Sequence, residues 1–255
     1  MIEVKNLSAS YSKKGKPTIE NISFVLPSSE VGVVLGANGA GKTTLFKAML
    51  GLIPHQGSLI LDGVDVSSLN TRERAKSIAY IPQQISFGSL SVYDAVLLGR
   101  LPHFALQESS KDEEEVEKAL ALLSLQDLAM RNTEELSGGE RQKVAIARAL
   151  VSHPKLILCD EPIANLDLKN QIIVLDEIAR MAKESHVSVL LSIHDVRFAL
   201  SRGDTFLFLK KGKLIASKKK DEVILDDVLS TYDIDKDDQR FQFLFEHFNH
   251  KGQQE

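Results

Sequence analysis

A nine-residue stretch, Gly36–Thr44, constrains the fold of this chain more than any other feature of its sequence. It reads Gly-Ala-Asn-Gly-Ala-Gly-Lys-Thr-Thr and fits the phosphate-binding pattern G-x-x-x-x-G-K-[ST]. Glycines allow a tight turn whose N–H groups point inward, and such groups at a helix start bind anions. The apolar runs 31–35 and 45–50 predict a strand before the loop and a helix after it, which a chance glycine-rich loop would lack. We therefore predict a phosphate-binding loop, with Lys42 at the β- and γ-phosphates and the Thr43 hydroxyl on Mg²⁺.

Composition and charge limit what the chain can be. Its 255 residues are 43% hydrophobic and 26% charged, as in a globular protein of one large or two small domains. A net charge of −4 gives no general argument for nucleic-acid binding, so no nucleic-acid partner is predicted. No apolar run approaches the ~18 residues that span a bilayer, and residues 1–5 lack the apolar core of a secretory signal. If the protein works at a membrane, we expect it to dock onto another chain.

The order of apolar patterns predicts an α/β core that is interrupted by helices. Between about Ser91 and Ser152 the apolar residues recur at helical spacing, which predicts an all-helical insert. A helix from about Leu168 to Lys183 and a hairpin around residues 211–213 are predicted after it. The predicted strands are 2–7, 22–26, 31–35, 58–63, 78–81, 156–160, 187–193, 206–209 and 214–216.

The C-terminal tail, from residue 226 onward, has a less clear pattern. It carries four phenylalanines, Phe241, Phe243, Phe245 and Phe248. We expect them to pack the tail onto the domain, with a partner surface as the alternative.

Two carboxylates follow the apolar strand pattern at 156–159. Asp160 is placed to hold the shell of a Mg²⁺ ion, the Walker B role, and Glu161 beside it can polarise the attacking water. An acidic turn before Pro162 is the plain alternative, but downstream of a phosphate-binding loop the pair predicts an ATPase. The preceding Cys159, the lone cysteine, fits a reducing cytoplasm and is expected to be a small buried hydrophobe rather than a nucleophile.

The stretch 136–142, Leu-Ser-Gly-Gly-Glu-Arg-Gln, is the most specific in the chain. Ser137 can cap the helix that follows. Gly138 and Gly139 would leave the helix N-terminus open to an approaching phosphate. An N-capped helix after a turn is the structural alternative, but it does not explain two successive glycines.

This stretch resembles the signature motif of the ATP-binding cassette (ABC) family, and other motifs of that family occur in the family's order. Tyr11 resembles the aromatic residue that stacks on adenine. Gln83 lies at the Q-loop position that contacts Mg²⁺ and the membrane partner, although the adjacent Gln84 leaves this assignment open by one residue. The stretch 164–167 lies at the D-loop position, and His194 resembles the switch histidine at the γ-phosphate.

The resemblance covers about residues 1–220 and implies an α/β fold: a P-loop NTPase ABC ATPase core with an antiparallel β subdomain and an all-helical insert. The expected domains are an ABC ATPase domain at 1–225, with its helical subdomain at about 88–152, and a C-terminal tail at 226–255.

The resemblance and the motifs together assign four sets of residues. The ATP-binding set is Tyr11, Gly36, Ala37, Asn38, Gly39, Ala40, Gly41, Lys42, Thr43, Thr44, Gln83 and Asp160, of which Thr43, Gln83 and Asp160 would hold Mg²⁺. The catalytic set is Glu161 and His194. The signature set, which would contact the ATP of another subunit, is Leu136, Ser137, Gly138, Gly139 and Glu140. The D-loop set is Ala164, Asn165, Leu166 and Asp167.

Two of these motifs depart from the common family pattern. The family D-loop is usually Ser-Ala-Leu-Asp, whereas this chain has Ala164-Asn165-Leu166-Asp167. Because Asp167 is kept, we expect an effect on communication between subunits rather than on activity. Glu140 replaces the commoner glutamine and is a frequent variant.

The resemblance also implies partners. In the family, ATP lies between the phosphate loop of one subunit and the signature motif of another, and this chain has one of each. We therefore expect a homodimer on ATP binding, with ATP and Mg²⁺ as cofactors. It would drive two transmembrane permease subunits at the cytoplasmic face of the membrane, and indirectly serve a substrate-binding protein.

The stretch 93–103 resembles the branch of the family that imports iron-siderophore complexes, haem and vitamin B12, and 228–234 looks like the same branch. Oxyanion importers share this architecture, so the expected solute is a metal chelate or an oxyanion. The alternative is a soluble ABC ATPase without a permease, such as an iron–sulfur cluster assembly factor. A DNA-repair ATPase is disfavoured because there is no coiled-coil insertion, and a translation factor because those carry two cassettes.

Overall fold

The computed structural model describes residues 1–12, 15–105 and 108–235, which form two β-sheets and a group of helices. The strands are β1 (Ile2–Ala9), β2 (Ile19–Leu26), β3 (Val31–Leu35), β4 (His55–Leu61), β5 (Val64–Asp65), β6 (Ile78–Ile81), β7 (Leu156–Cys159), β8 (Ser188–Ser192), β9 (Thr205–Lys210) and β10 (Lys213–Lys219). The helices are α1 (Lys42–Met49), α2 (Thr71–Ser77), α3 (Val92–Leu97), α4 (Ser110–Leu122), α5 (Gly138–Leu150), α6 (Leu168–Glu184), α7 (Val196–Arg202) and α8 (Leu225–Tyr232). Short 3₁₀ helices cover Val66–Ser68, Leu98–Arg100, Gln126–Leu128, Thr133–Glu135 and Lys220–Glu222. Within these described ranges, no helix has the length and apolar character that crossing a lipid bilayer requires.

A six-stranded sheet, in the order β10-β9-β3-β8-β7-β6, forms the centre of the molecule. Its strands pair in parallel except at the antiparallel edge between β9 and β10. Every residue of β3, β7 and β8 is buried, because helices cover parallel sheets on both faces, and this explains their nearly continuous apolar runs. Parallel strands end at the same edge of the sheet, so the segments after β3, β6, β7 and β8 meet there.

The second sheet is antiparallel, in the order β2-β1-β4-β5, and α1 lies between the two sheets. Phe46 of α1 packs in one hydrophobic cluster with Leu7 of β1 and with Val34 and Leu190 of the six-stranded sheet. The small sheet therefore covers α1, the helix that follows the phosphate-binding loop, and holds it against the central sheet.

The helices α3, α4 and α5 pack against one another beside the central sheet. Among them, the buried guanidinium of Arg100 donates to Asp112 Oδ1 at 2.8 Å and to the Val151 carbonyl at 2.8 Å. Burial would raise the pKa of Asp112, but hydrogen bonds from Ser109 and Arg100 outweigh it and lower that pKa, so the carboxylate stays charged. This ion pair ties the segment after α3 to α4 and α5.

The predicted fold class is confirmed, since the central sheet, the antiparallel sheet and the α3–α5 group are its three parts. Two strands begin three residues earlier than predicted, β2 at Ile19 and β4 at His55. The first residues of β4 are polar and exposed, and they are in the strand because His55 pairs with Ala9 and Gln56 with Ser8. Apolar alternation does not reveal pairing of this kind.

The sequence patterns missed α2, α7 and α8 as helices. The reason is plainest for α2, which has no buried residue and therefore no apolar periodicity. Helix α8 packs against β9, whereas the four tail phenylalanines lie outside the described residues. The expected packing of the tail and the domain boundaries remain predictions.

We predict that Asp112→Ala lowers the free energy of unfolding by about 3–5 kcal/mol, because it leaves the Arg100 guanidinium buried without its counter-ion. Urea unfolding followed by circular dichroism measures this. Lys118→Ala on the same helix is the control, since Lys118 is an exposed partner of Glu115 and its loss should not change the midpoint. Equal midpoints for Asp112→Ala and wild type would show that the buried pair does not stabilise the insert.

Candidate active site

The phosphate-binding loop joins β3 to α1. Gly39 and Gly41 have positive φ angles of 76° and 108°, and Gly41 is the N-cap residue of α1. A Cβ on Gly41 would lie 2.7 Å from Ile19 Cγ2, so glycine is required there by space as well as by backbone angle. Ala37, Asn38 and Gly39 at the tip are exposed, where a phosphate can approach them.

Lys42 folds back into this loop. Its ammonium donates to the carbonyls of Gly36 at 2.8 Å and Ala37 at 3.3 Å, and the residue is only 6% exposed. Burial lowers the pKa of Lys42, while the charges of Glu161 and Asp160 oppose that shift. The cation therefore lies between the loop and the two carboxylates, where it can also meet phosphate oxygens.

Asp160 directly follows β7 and is buried. The Ser192 hydroxyl donates to Asp160 Oδ1 at 2.9 Å, and the Tyr80 hydroxyl donates to Oδ2 at 3.3 Å. Burial, and then the charge of Asp160, raises the pKa of Tyr80, so its phenol stays protonated and remains a donor. Hydroxyls from two neighbouring strands thus orient both carboxylate oxygens.

Glu161 has a left-handed backbone, with a φ of 51°, which is uncommon for a residue with a side chain and concentrates at functional sites. Its N–H donates to Ser192 Oγ at 2.9 Å. Its carboxylate accepts from Gln83 Nε2 at 2.6 Å and makes a short contact with His194 Nε2. The structure thus brings together the predicted base, the Q-loop glutamine and the switch histidine.

The choice between the two adjacent glutamines follows from this geometry. The Gln83 side chain contacts Glu161, whereas Gln84 lines a groove on the other side of the segment. The contact favours Gln83 as the Q-loop residue.

Tyr11 is 58% exposed, as a platform for a base would be. Its hydroxyl accepts from Thr44 Oγ1 at 3.4 Å, and Lys47 Nζ lies 5.6 Å from the centre of its ring. Both partners belong to α1, so the first helix after the phosphate loop supports the aromatic ring. Such a ring could stack on adenine next to the phosphate site.

The signature residues form a second group, at the N-terminus of α5. Ser137 is the N-cap, and its N–H and hydroxyl both donate to Glu140, at 2.8 and 2.7 Å. A Cβ on Gly139 would lie 2.7 Å from the side-chain oxygen of Asn170, so this glycine is needed for close packing against α6. The structure therefore adds a packing reason for a glycine that the sequence analysis related only to phosphate access.

The D-loop lies beside the signature motif. Leu166 lies 3.1 Å from where a Cβ on Gly138 would be. Asp167 caps α6 and accepts from the N–H of Asn170 at 2.8 Å, while Ala164 and Asn165 are exposed. Signature and D-loop thus form one surface, with contacts separate from those that hold the carboxylates. Leu136 anchors that surface, because it is buried in the core of the helical insert.

Sequence reasoning missed three residues of the site: Tyr80, Ser192 and Lys47. Tyr80 and Ser192 are polar residues in otherwise apolar strands, and each lies two or three positions before a predicted site residue. A polar residue that interrupts an apolar strand was the signal that the sequence offered. Lys47 had no signal, since a lysine on a helix is ordinary. Cys159 is fully buried, as predicted, and burial and then the charge of Asp160 raise the pKa of its thiol.

The oxygen ligands of the site suit Mg²⁺ and a nucleoside triphosphate. Mg²⁺ prefers oxygen ligands and keeps waters and substrate phosphates in its shell. The Thr43 hydroxyl is exposed at the start of α1, Asp160 is oriented by two hydroxyls, and the Gln83 amide lies beside Glu161. Bound Mg²⁺ would neutralise phosphate charge, and these three residues would hold it.

A family model described as "ABC transporter" matches residues 19–164, which include the phosphate loop, Gln83, the signature and the acidic pair. The chain belongs to the ABC transporter family. It is an ABC transporter ATP-binding subunit and an ATPase, as the motifs and their geometry predict.

Named relatives agree with this membership. An uncharacterized ABC transporter ATP-binding protein of Methanocaldococcus jannaschii is 40% identical over 226 residues, covering 88% of this chain and 89% of that protein. A protein of Helicobacter pylori named "Probable iron chelatin transport ATP-binding protein" is 38% identical, with 84% and 85% covered. A phosphonates import ATP-binding protein of Rhodopseudomonas palustris is 34% identical, with 93% and 92% covered.

Solved ABC structures have the same fold. A "metal-chelate type ABC transporter" in an inward-facing conformation has a TM-score of 0.77 and 31% identity, covering 90% of this chain and 88% of that one. A bacterial ABC transporter cassette solved as a dimer has a TM-score of 0.74 and 25% identity, covering 86% and 99%.

We predict that Gln83→Ala lowers the ATPase rate of the chain by about 10-fold or more, because a hydrogen-bond partner that orients Glu161 is lost. Gln84→Ala is the matched control and should keep the wild-type rate, since Gln84 faces the groove. Steady-state phosphate release at saturating Mg-ATP measures both. The reverse result would move the Q-loop assignment by one residue.

Proposed function

We propose that this ABC ATPase powers the import of a metal chelate through a separate permease. The observation that carries the proposal is a groove of about 550 Å³ that continues from the Gln83 segment, between the central sheet and the helical insert. It is lined by the segment after β6, the segment after α3 and one side of α5, among them Gln84, Ile85, Phe87, Leu98, Leu101, Ala145 and Arg148.

The chemistry of the groove fits a protein segment. Leu101 is 55% exposed, and the Arg148 guanidinium lies 5.8 Å from the centre of the Phe87 ring. Exposed apolar residues beside a charge are typical of a partner surface. A short permease helix with apolar residues against Leu101 and an acidic residue near Arg148 would fit this groove.

The position of the groove also explains what the resemblance to chelate importers means. Part of the stretch 93–103, which carries that resemblance, forms one wall of the groove rather than the nucleotide site. The likeness therefore concerns the contact with the permease, through which a solute-specific transporter would be recognised. The iron chelatin relative and the metal-chelate type structure support a chelate, and the phosphonate relative supports an oxyanion as the second candidate.

We infer that two copies close around ATP and Mg²⁺, with the signature and D-loop of one facing the phosphate loop of the other. Leu168 and Ile172, one turn apart on α6 after the D-loop, are 66% and 44% exposed. Such apolar residues beside the signature surface fit an interface. The cassette solved as a dimer supports this arrangement.

The same proposal places the chain at the cytoplasmic face of the membrane, bound to two transmembrane permease subunits that a substrate-binding protein would serve. The competing function is an ABC ATPase that works without a permease, for example in iron–sulfur cluster assembly. Under that alternative the groove would have no membrane partner, and variants in it would leave uptake unchanged.

We predict that deleting the gene abolishes uptake of one solute among labelled iron-siderophores, haem, cobalamin and oxyanions. Met130→Asp should restore uptake, because Met130 is 84% exposed outside the groove. Leu101→Asp should fail to restore uptake although its purified chain keeps its ATPase rate within about twofold, because a charge would enter the permease contact. Normal uptake of all four solute classes in the deletion strain would contradict the import proposal.

We predict that Glu161→Gln binds ATP but hydrolyses it about 100-fold more slowly or worse, because the general base is lost. With Mg-ATP, size-exclusion chromatography should then show an accumulated dimer. Adding Ser137→Arg should remove that dimer, since a bulky side chain would block the phosphate of the facing subunit. A Glu161→Gln chain that hydrolyses ATP like wild type would show that Glu161 is not the base.

A further inference from the structure

The carboxyl ends of β7 and β8 differ from the rest of their ladder. The parallel pairing of these strands runs to Cys159 opposite Leu191. Beyond it, Glu161 turns away with a φ of 51°, so its N–H can no longer point to a strand carbonyl. The Ser192 hydroxyl accepts that N–H at 2.9 Å and replaces the missing partner.

The same hydroxyl also forms a hydrogen bond with the side chain of Asp160, the residue before Glu161. Ser192 Oγ donates its proton to Asp160 Oδ1 at 2.9 Å. A serine hydroxyl has one proton to donate and two lone pairs to accept with, so one side chain serves both residues at once. Ser192 is 0% exposed, so water does not compete for either hydrogen bond.

Ser192 is a polar residue at the end of an otherwise apolar part of β8, and its presence there requires an explanation. The three residues before it in β8, Val189, Leu190 and Leu191, are apolar and fully buried. A buried hydroxyl is unfavourable unless it is hydrogen-bonded, and here both of its bonds go to the acidic pair rather than to the strand's own backbone.

We propose that Ser192 is a positioning residue that sets the geometry of both acidic residues of the ATPase site. Through Oδ1 it fixes the rotation of the Asp160 carboxylate, which presents its oxygens to the Mg²⁺ shell. By accepting from the N–H of Glu161, it fixes the left-handed backbone conformation of that residue. In this conformation the Glu161 carboxylate contacts Gln83 and His194. The inference rests on the roles proposed above for Asp160 and Glu161 and not on the transported solute.

Tyr80 has the smaller part in this arrangement. Its hydroxyl donates to Asp160 Oδ2 at 3.3 Å, a longer distance than the Ser192 contact, and Glu161 is not among its partners in the described residues. Loss of Tyr80's hydroxyl should therefore disturb Asp160 alone, whereas loss of the Ser192 hydroxyl should disturb both acidic residues.

The test compares Ser192→Thr with Ser192→Val in the full 255-residue chain. The two side chains have nearly the same shape and differ in a hydroxyl against a methyl, so extra volume affects both variants alike. We expect Ser192→Thr to keep the ATPase rate within about threefold of wild type. Ser192→Val should lower kcat by about 10- to 100-fold, the usual cost of losing a group that orients a metal-site ligand.

A binding measurement separates positioning from general damage. Without Mg²⁺, in EDTA, both variants should bind ATP with wild-type affinity, because the phosphate loop is untouched. Added Mg²⁺ should strengthen ATP binding in wild type and Ser192→Thr but much less in Ser192→Val. Ser188→Ala is the matched control, since Ser188 is a buried serine of the same strand whose hydroxyl donates to the Pro27 carbonyl, away from the site.

The outcomes of these measurements distinguish failure of the Ser192 proposal from failure of the acidic-pair assignment. Equal kcat and equal Mg²⁺ dependence for the valine and threonine variants would overturn the proposal, and so would the same losses in Ser188→Ala. If Ser192→Val does not fold, Ser192→Ala decides, because it removes the hydroxyl without adding volume: a wild-type Mg²⁺ dependence would overturn the proposal, and a weakened one would support it. Wild-type hydrolysis by Glu161→Gln would instead refute the assignment of the acidic pair, which is a different failure.

Discussion

Main-chain pairing in the central sheet is the constraint on which the site depends. Ile81, Cys159 and Leu191 lie opposite one another in the parallel strands β6, β7 and β8, and Leu191 lies opposite Val33 of β3. Because this register is shared, the residues after each strand arrive at one edge at the same height. A shift of one residue in any of these strands would reverse the faces of its side chains and move its site residue away.

Charges of opposite sign meet at this edge. Asp160 and Glu161 are adjacent carboxylates, and the ammonium of Lys42 lies within their field, which opposes the effect of burial on its pKa. The left-handed backbone of Glu161 is strained by roughly 1–3 kcal/mol, and the hydrogen bond to Ser192 and the contacts to Gln83 and His194 hold it there. A backbone held in this conformation keeps the Glu161 carboxylate in one position, which a flexible loop would not do.

The helical insert has its own support. The buried pair of Arg100 and Asp112 joins its three helices, and the groove beside Gln83 lies where the insert meets the central sheet. One wall of the groove is the segment after β6, in which Gln84 directly follows the glutamine that contacts the proposed base. A partner in the groove would therefore lie one residue from the hydrolysis site, which gives a short physical path between docking and chemistry.

Local sequence was enough to predict the phosphate loop, the acidic pair, the signature and most strands, because glycine angles, apolar runs and helix caps are local properties. It was not enough to choose Gln83 over Gln84, since adjacent amides differ only in the direction that the folded backbone gives them. It also did not find Tyr80 or Ser192, which lie 80 and 32 positions from Asp160 in the sequence and reach its carboxylate only after the sheet has formed its register. Gly139 illustrates both contributions. The sequence analysis related this glycine to phosphate access, and the packing of α5 on Asn170 gives a second reason why the position requires glycine. The sequence by itself thus determined which chemical groups the site has, and the tertiary structure decided which of them meet, because contacts between distant strands depend on pairing and burial that no short stretch encodes.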